Sequence, residues 1–183
     1  MSLRRVLPIL MRLALVATLL AGGAQAASGG DEISDAERLE LAARLTADGE
    51  YERAARALGK VDTRAEELDL AKYHTVAGLI ALNQNRNEDA VRNLGDAIAA
   101  GQADPTVQLY LAQAHFALER WREALAALDA AGETADALGG VWQMRAHPWS
   151  ALGERQRALD TLGQAAARFP ATNSSTRRQV LYT

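Results

Sequence analysis

Residues 111–131 read LAQAHFALERWREALAALDAA, and the same pattern occurs three more times in the chain, at residues 41–61, 77–97 and 145–165. The four segments align without gaps. One column of the alignment contains only alanine, at separations of 36, 34 and 34 residues: Ala54, Ala90, Ala124 and Ala158. A leucine follows each alanine by four residues, and a further apolar residue follows that leucine by three. This i, i+4, i+7 spacing places the three residues on one face of a helix.

A second column of small residues lies twelve positions before the alanine column and consists of Ala42, Gly78, Ala112 and Ala146. The segment Gly49-Glu50-Tyr51 between the two columns of the first repeat is typical of a turn into a second helix. Each repeat therefore predicts two helices whose small residues let them approach closely. A constant period of about 34 residues favours a stack of helix pairs over an irregular alanine-rich bundle, the alternative, which needs no period.

This pattern resembles the tetratricopeptide repeat (TPR), a pair of antiparallel helices. The upstream small column, the alanine column and the apolar column seven residues after it match the family's positions 8, 20 and 27. Trp142 falls at position 4 and Pro170 at position 32 of the last repeat. The resemblance implies an all-α fold: an α-solenoid of about four TPR-like helix pairs in a right-handed superhelix. The solenoid is expected to span residues 35–171, with repeats near 35–68, 71–104, 105–138 and 139–172.

Helix start signals agree with these repeats. Capping boxes are predicted at Ser34-x-x-Glu37 and Thr63-x-x-Glu66, and Asp104 is placed to cap a helix whose first residue is Pro105. The first helices of the pairs are therefore expected to begin near Asp35, Arg64, Pro105 and Gly139. Pro148 removes a backbone donor inside the last of these helices, which predicts a kink near residues 144–148 or a late helix start.

Residues 1–26 read as a secretory signal peptide. Arg4 and Arg5 precede an apolar run at residues 13–21, and residues 24–26 form a small-x-small cleavage site. The alternative is a membrane anchor, but Arg12 interrupts the stretch, and the uninterrupted run is shorter than the ~20 residues of a span. We therefore expect cleavage after Ala26, a periplasmic protein, no stable membrane insertion after cleavage, and a disordered leader at residues 27–34.

The last residues allow two interpretations. Pro170 closes the fourth repeat, and Asn173 to Ser175 can cap a new helix that contains apolar residues at 180–182. Residues 173–183 are either a capping helix or the start of a truncated fifth repeat, and the exposed apolar end favours truncation.

Composition and motifs argue against catalysis, metal binding and nucleic-acid binding. Removing residues 1–26 takes away three of the 20 basic residues and none of the 23 acidic ones, so a net charge of −6 disfavours nucleic acid as a partner. The absence of cysteine excludes disulfides and thiolate sites. His74, His115 and His147 lack the spacing of a metal site, and no nucleophile or phosphate-loop motif is present. We expect a non-catalytic protein with no metal and no cofactor.

The resemblance also implies a binding groove, because the first helix of each TPR lines the concave face. Carried over position by position, the expected partner-binding residues are apolar or neutral apart from one lysine: Leu39, Ala43, Lys72, Thr75, Leu79, Asn83, Leu109, Tyr110, Gln113, Phe116, Gln143, Met144 and His147. The basic clamp with which chaperone-binding relatives hold a C-terminal carboxylate is absent. An extended peptide or an amphipathic helix is therefore the expected partner, with Tyr110 as its anchor. Leu79 and Phe116 can alternatively pack repeat against repeat.

The expected function is thus a protein-interaction scaffold in the envelope of a Gram-negative bacterium. The segment Gly153-Glu154-Arg155, followed by Ala158-Leu159 and Leu162, is similar to exported TPR proteins of TonB-type energy-transduction systems. Two alternatives stay open: an accessory subunit of envelope polysaccharide-export or cell-wall machinery, and the repeat portion of a longer enzyme.

Overall fold

The structure is a computed structural model that describes residues 33–169. Throughout this range the regular secondary structure is α-helical, as the sequence predicts. The helices are α1 (Asp35–Ala47), α2 (Tyr51–Leu58), α3 (Leu70–Asn83), α4 (Asn87–Ala99), α5 (Pro105–Ala117), α6 (Trp121–Ala131), α7 (Glu133–Asp136), α8 (Gly139–Ala151) and α9 (Arg155–Arg168). The predictions made for residues 1–32 and 170–183, which include the signal peptide, most of the leader and the terminal segment, lie outside the described residues.

Three of the four predicted first-helix starts are confirmed. The Ser34 backbone N–H donates to Glu37 Oε2 over 2.9 Å, and the Glu37 N–H donates to Ser34 Oγ over 3.2 Å, so the capping box at the start of α1 forms as predicted. Asp104 Oδ1 accepts the Thr106 N–H over 2.8 Å, with Pro105 as the first residue of α5. Helix α8 begins at Gly139 and continues through Pro148, so the predicted late start is wrong.

The predicted start near Arg64 is also wrong, because α3 begins at Leu70. Asp62 Oδ1 accepts the Arg64 N–H over 3.0 Å, and Asp62 O accepts the Ala65 N–H over 3.2 Å, which holds this segment in turns. Asp69 then caps α3 by accepting the Lys72 N–H over 2.8 Å. The competing aspartates therefore move the helix start six residues past the expected one.

The turn column of the alignment has one backbone conformation in all four pairs. Gly49, Asn85, Glu119 and Gly153 have φ of 79°, 59°, 57° and 81°, which is the left-handed region. The next residue donates its N–H to the carbonyl five positions earlier, as Glu50 does to Leu45 over 2.8 Å. This is the helix-ending motif that a left-handed residue permits. Equivalent turns explain why the repeats align without gaps.

Helix pairs form two compact units that divide between Gln102 and Ala103. In the first unit α1 packs on α2 and α3 on α4, and α3 also contacts α1 and α2. In the second unit α5 packs on α6 and α8 on α9, while α6 also contacts α8. The handedness of the superhelix stays a prediction.

The two small-residue columns form the contacts within the pairs, as predicted. The alanine column and the upstream column are buried in every repeat, and Ala42, Ala54, Ala90, Ala112 and Ala124 are fully so. The approach is close between α3 and α4, where a Cβ on Gly78 would come within 2.6 Å of Leu94 Cγ. Small side chains therefore set the distance between the two helices of a pair.

Candidate partner-binding face

The thirteen predicted binding residues all lie on α1, α3, α5 and α8, the first helices of the four pairs. We call the surface that they were predicted to form the first-helix face and describe it unit by unit.

In the first unit, four of the six predicted residues are part of the core. Leu39, Ala43 and Leu79 are at most 4% exposed. Thr75 is also buried, and its hydroxyl donates to the Ala71 carbonyl within the same helix over 2.8 Å. These four side chains hold α1 and α3 in place, so they offer a partner almost no surface. Leu79 thus packs between helices, which is the alternative that its sequence position left open.

The other two predicted residues of this unit, Lys72 and Asn83, have partners within the chain. Lys72 Nζ forms an ion pair with the Glu40 carboxylate, which joins α3 to α1. Asn83 is exposed, and its side-chain amide donates to the Leu79 carbonyl over 2.9 Å. Glu40 was missed in the sequence, although it lies at position 6 of its repeat, one of the inward positions of a TPR. The pair neutralises the charge that Lys72 was expected to bring to the face.

A shallow depression of about 570 Å³ lies next to Asn83 and is lined by residues 49–53, Asn83 and Gln84. Gln84 Nε2 donates to Glu52 Oε1 over 2.9 Å and closes one side of it. The depression is open and lined mainly by exposed polar side chains, so it lacks the apolar enclosure of a small-molecule site.

In the second unit three of the predicted residues are buried. Leu109, Met144 and Tyr110 are 2%, 3% and 8% exposed. Tyr110, the expected anchor, is therefore packed within the unit in the free chain. The prediction that it contacts a partner is not tested by this, but its ring presents little area for contact.

Three rings of the second unit form an aromatic cluster, which we define as Phe116, Trp121 and His147. The ring centroids are 5.3 Å apart for Phe116 and Trp121, 5.4 Å for Phe116 and His147, and 5.2 Å for Trp121 and His147. His147 is exposed and the other two rings are half-buried. The cluster joins α5, α6 and α8 and leaves part of its apolar surface open to solvent. Trp121 was not predicted, because it begins a second helix and the family's concave positions lie on first helices.

Two amide side chains accompany this cluster. Gln113 lies one turn before Phe116 on α5, and Gln143 lies one turn before His147 on α8, so each shares a face with a member of the cluster. Both are half-buried. The Nε2 atom of Gln143 is enclosed and makes no hydrogen bond within the described chain. An amide donor without an acceptor is costly to bury, and the enclosed atom is out of a partner's reach in this conformation.

The described residues hold no group of three or more histidine, aspartate or glutamate side chains placed to bind a metal ion. His74 Nδ1 lies 3.5 Å from Asn93 Oδ1, and its ring meets Tyr73 edge-on at 5.3 Å. Hydrogen bonds from the Ser34 backbone N–H and hydroxyl hold the pKa of Glu37 below its ordinary value, which reflects its role in the cap. Within residues 33–169 no helix is both long and apolar enough to cross a membrane.

No family model and no curated protein matches the chain. Among solved structures, the crystal structure of MamA matches with a TM-score of 0.60 and 15% identity, over 77% of this chain and 88% of MamA. A point mutant of MamA matches with a TM-score of 0.52 and 23% identity, over 73% of this chain and 96% of the mutant. The fold is that of a TPR-type helical solenoid. At these identities the likeness concerns the fold alone.

Proposed function

We propose that this chain is a non-catalytic protein-interaction scaffold that binds an extended peptide or an amphipathic helix on the first-helix face of its second unit. The observation that carries the proposal is the aromatic cluster, which combines accessible apolar rings with amide groups on the same helix faces. Aromatic side chains supply most of the energy at protein interfaces, and amides supply hydrogen bonds to a partner's backbone.

The pairing of charges supports a partner held by apolar and hydrogen-bond contacts. In the first unit Lys72 is paired with Glu40, and in the second unit Arg145 is paired with Asp129 and Asp136. Charges already engaged within the protein add little attraction for a charged ligand. We therefore expect partner binding to depend weakly on salt concentration, since screening acts chiefly on exposed, unpaired charges.

The binding test compares two carboxylates introduced into the same unit. His147→Glu places a charge against the Phe116 and Trp121 rings, whereas Ala126→Glu places it on the exposed face of α6. Affinity for a partner captured from an envelope extract should fall about tenfold or more for His147→Glu, because the partner must then desolvate an unpaired charge. Equal capture by both folded variants would show that the partner does not bind at the aromatic cluster.

We also propose a periplasmic location, which the signal-peptide pattern in residues 1–26 supports. N-terminal sequencing of protein released from the periplasm should begin at Ala27. A sequence that begins at Met1, or recovery in the membrane fraction alone, would contradict the location.

The proposed cellular role is in a TonB-type energy-transduction system, and its support is the similarity of the segment around Gly153-Glu154-Arg155 to exported TPR proteins of such systems. Mass spectrometry of the captured partner tests it. Capture of a TonB-type component supports the role, and capture of a polysaccharide-export or cell-wall component favours the alternative.

A further inference from the structure

Two leucines are exposed on the first and the last helix pair. Leu41 on α1 is 43% exposed and Leu159 on α9 is 56% exposed. The equivalent residues of other repeats are less exposed. Leu125 occupies the column of Leu159 and is 6% exposed, and Ala77 occupies the column of Leu41 and is half-buried. The packing of the interior repeats therefore indicates which helix would bury Leu41 and Leu159.

Inside the second unit, α8 covers α6. Arg145 on α8 donates through Nη2 to the Leu128 carbonyl over 3.0 Å, and its Nη1 lies 2.5 Å from Asp129 Oδ1. Trp142, earlier on α8, donates to the Asp136 carbonyl beyond the end of α6 over 3.1 Å, so the two helices run antiparallel. The first helix of one repeat thus lies on the second helix of the preceding repeat.

Arg145 and Leu41 occupy the same column of the alignment. In the first unit another member of that column, Ala77 on α3, packs against the core cluster in which α1, α2 and α3 meet, and α3 contacts α2. The column therefore faces the preceding second helix directly in the second unit and the shared core in the first. Within residues 33–169 no helix precedes α1, and none follows α9.

One repeat after Leu128 and Asp129, the equivalent positions on α9 are Leu162 and Gly163. Among residues 33–169, no atom outside the glycine's own stretch of helix lies within 4 Å of the place that a Cβ on Gly163 would occupy. On α9, therefore, the described residues leave open the place where a residue equivalent to Leu41 would pack. The exposed Leu159 lies one helical turn before Gly163.

Charge also matches α1 to α9. The first turn of α1 carries Asp35 and Glu37, and the last turn of α9 carries Arg168. Asp35 pairs with Arg38 over 3.3 Å within α1, so an antiparallel arrangement like that of α6 and α8 chiefly brings the Glu37 carboxylate towards Arg168.

We propose that a second copy of this chain docks head to tail, with its α1 lying on α9 of the first copy as α8 lies on α6. Leu41 of one copy then packs over Leu162 and Gly163 of the other. The two copies contribute different surfaces, so the contact is heterologous, and a dimer can add further copies until its free α1 and free α9 meet in a ring. This proposal is independent of the proposed function.

Sedimentation velocity of the full chain after signal cleavage tests the proposal over a wide concentration range. The sedimentation coefficient of the wild type should rise with concentration. Leu41→Arg and Leu159→Arg should each weaken association about tenfold or more, because each buries an unpaired charge in the contact. Leu70→Arg is the matched control, since Leu70 is also 43% exposed but lies on α3. It should behave like the wild type.

A rescue variant separates this contact from general loss of solubility or folding. Leu41→Arg combined with Gly163→Asp places across two copies the same pair that Arg145 and Asp129 form inside one chain. Association should return in this double variant, with circular dichroism confirming that all variants are folded.

Three results would overturn the proposal. The first is a wild type that stays monomeric at all concentrations, and the second is association that both Leu41→Arg and Leu159→Arg leave intact. The third is a chain that associates only after residues 170–183 are removed, since its own C-terminal segment would then occupy α9.

Discussion

Replacing Gly78 by alanine should force α3 and α4 apart. The added Cβ would lie 2.6 Å from Leu94 Cγ, 2.7 Å from Leu94 Cδ2 and 3.2 Å from the Leu94 backbone nitrogen. Leu94 is fully buried, so its side chain has no open space to enter, and the backbone nitrogen cannot move without shifting the helix. Overpacking of this kind costs about 1–3 kcal/mol. The higher helix propensity of alanine offsets about 1 kcal/mol of it.

Gly95→Ala is the matched control for this substitution. Gly95 lies in α4 next to Leu94, and in the described part of the chain no atom outside its own stretch of helix lies within 4 Å of the place that its Cβ would occupy. The control gains the same helix propensity without the contact, so it should stabilise the protein by up to about 1 kcal/mol. The difference between the two variants therefore isolates the overpacking, at about 1–3 kcal/mol.

Urea unfolding followed by far-ultraviolet circular dichroism measures that difference. The midpoint of Gly78→Ala should fall below that of the wild type and the midpoint of Gly95→Ala should rise above it, with the slope of the transition unchanged in both. In thermal unfolding, each kcal/mol corresponds to about 2–4 °C for a chain of this length. If both variants gain the same stability, α3 and α4 do not approach as closely as described, and the packing argument is refuted.

Three further predictions test the turns, the pair contacts and the first cap. Glu119→Gly should stabilise the protein by up to about 1 kcal/mol and Gly153→Ala should destabilise it by a similar amount, because both positions have left-handed φ. Chemical unfolding that showed Glu119→Gly to be less stable than the wild type, or Gly153→Ala to be more stable, would contradict this. Ala124→Leu should cost about 1–3 kcal/mol, whereas Ala126→Leu on the exposed side of the same helix should change stability by less than about 0.5 kcal/mol, and equal melting shifts would show the helix face to be misassigned. The lowered pKa of Glu37 means that its cap stabilises α1 at neutral pH and loses this effect as the pH falls through that pKa, so an NMR titration of Glu37 that gave an ordinary or raised pKa would disprove the cap.

The pairwise architecture could be predicted from the sequence because it depends on a periodic pattern. The buried alanine column, the left-handed turns at Gly49 and Gly153 and the cap at Ser34 all arise from residue types whose local preferences agree with the packing. The helix start at Leu70 could not be predicted in the same way. Thr63 and Asp69 both offer plausible caps, and the turn bonds of Asp62 decide between them.

The binding residues were harder to predict, because a residue's position in the repeat indicates which way its side chain points but not how much of that side chain is exposed. Leu109 and Gln113 both lie at predicted inward positions of α5, yet Leu109 is buried and Gln113 keeps part of its surface. Trp121 reaches the aromatic cluster from a second helix, and Glu40 reaches Lys72 from the neighbouring first helix. Contacts of this kind depend on the packing of one helix pair on the next, which a single-repeat template does not contain.

Site-specific photocrosslinking tests the proposed binding face most directly. A photoreactive residue at position 113, next to the aromatic cluster, is compared in living cells with the same residue at position 126 on the exposed side of α6. Binding at the first-helix face of the second unit predicts a discrete crosslinked partner from position 113 and none from position 126. A partner that crosslinks from position 126 and not from position 113 would contradict it.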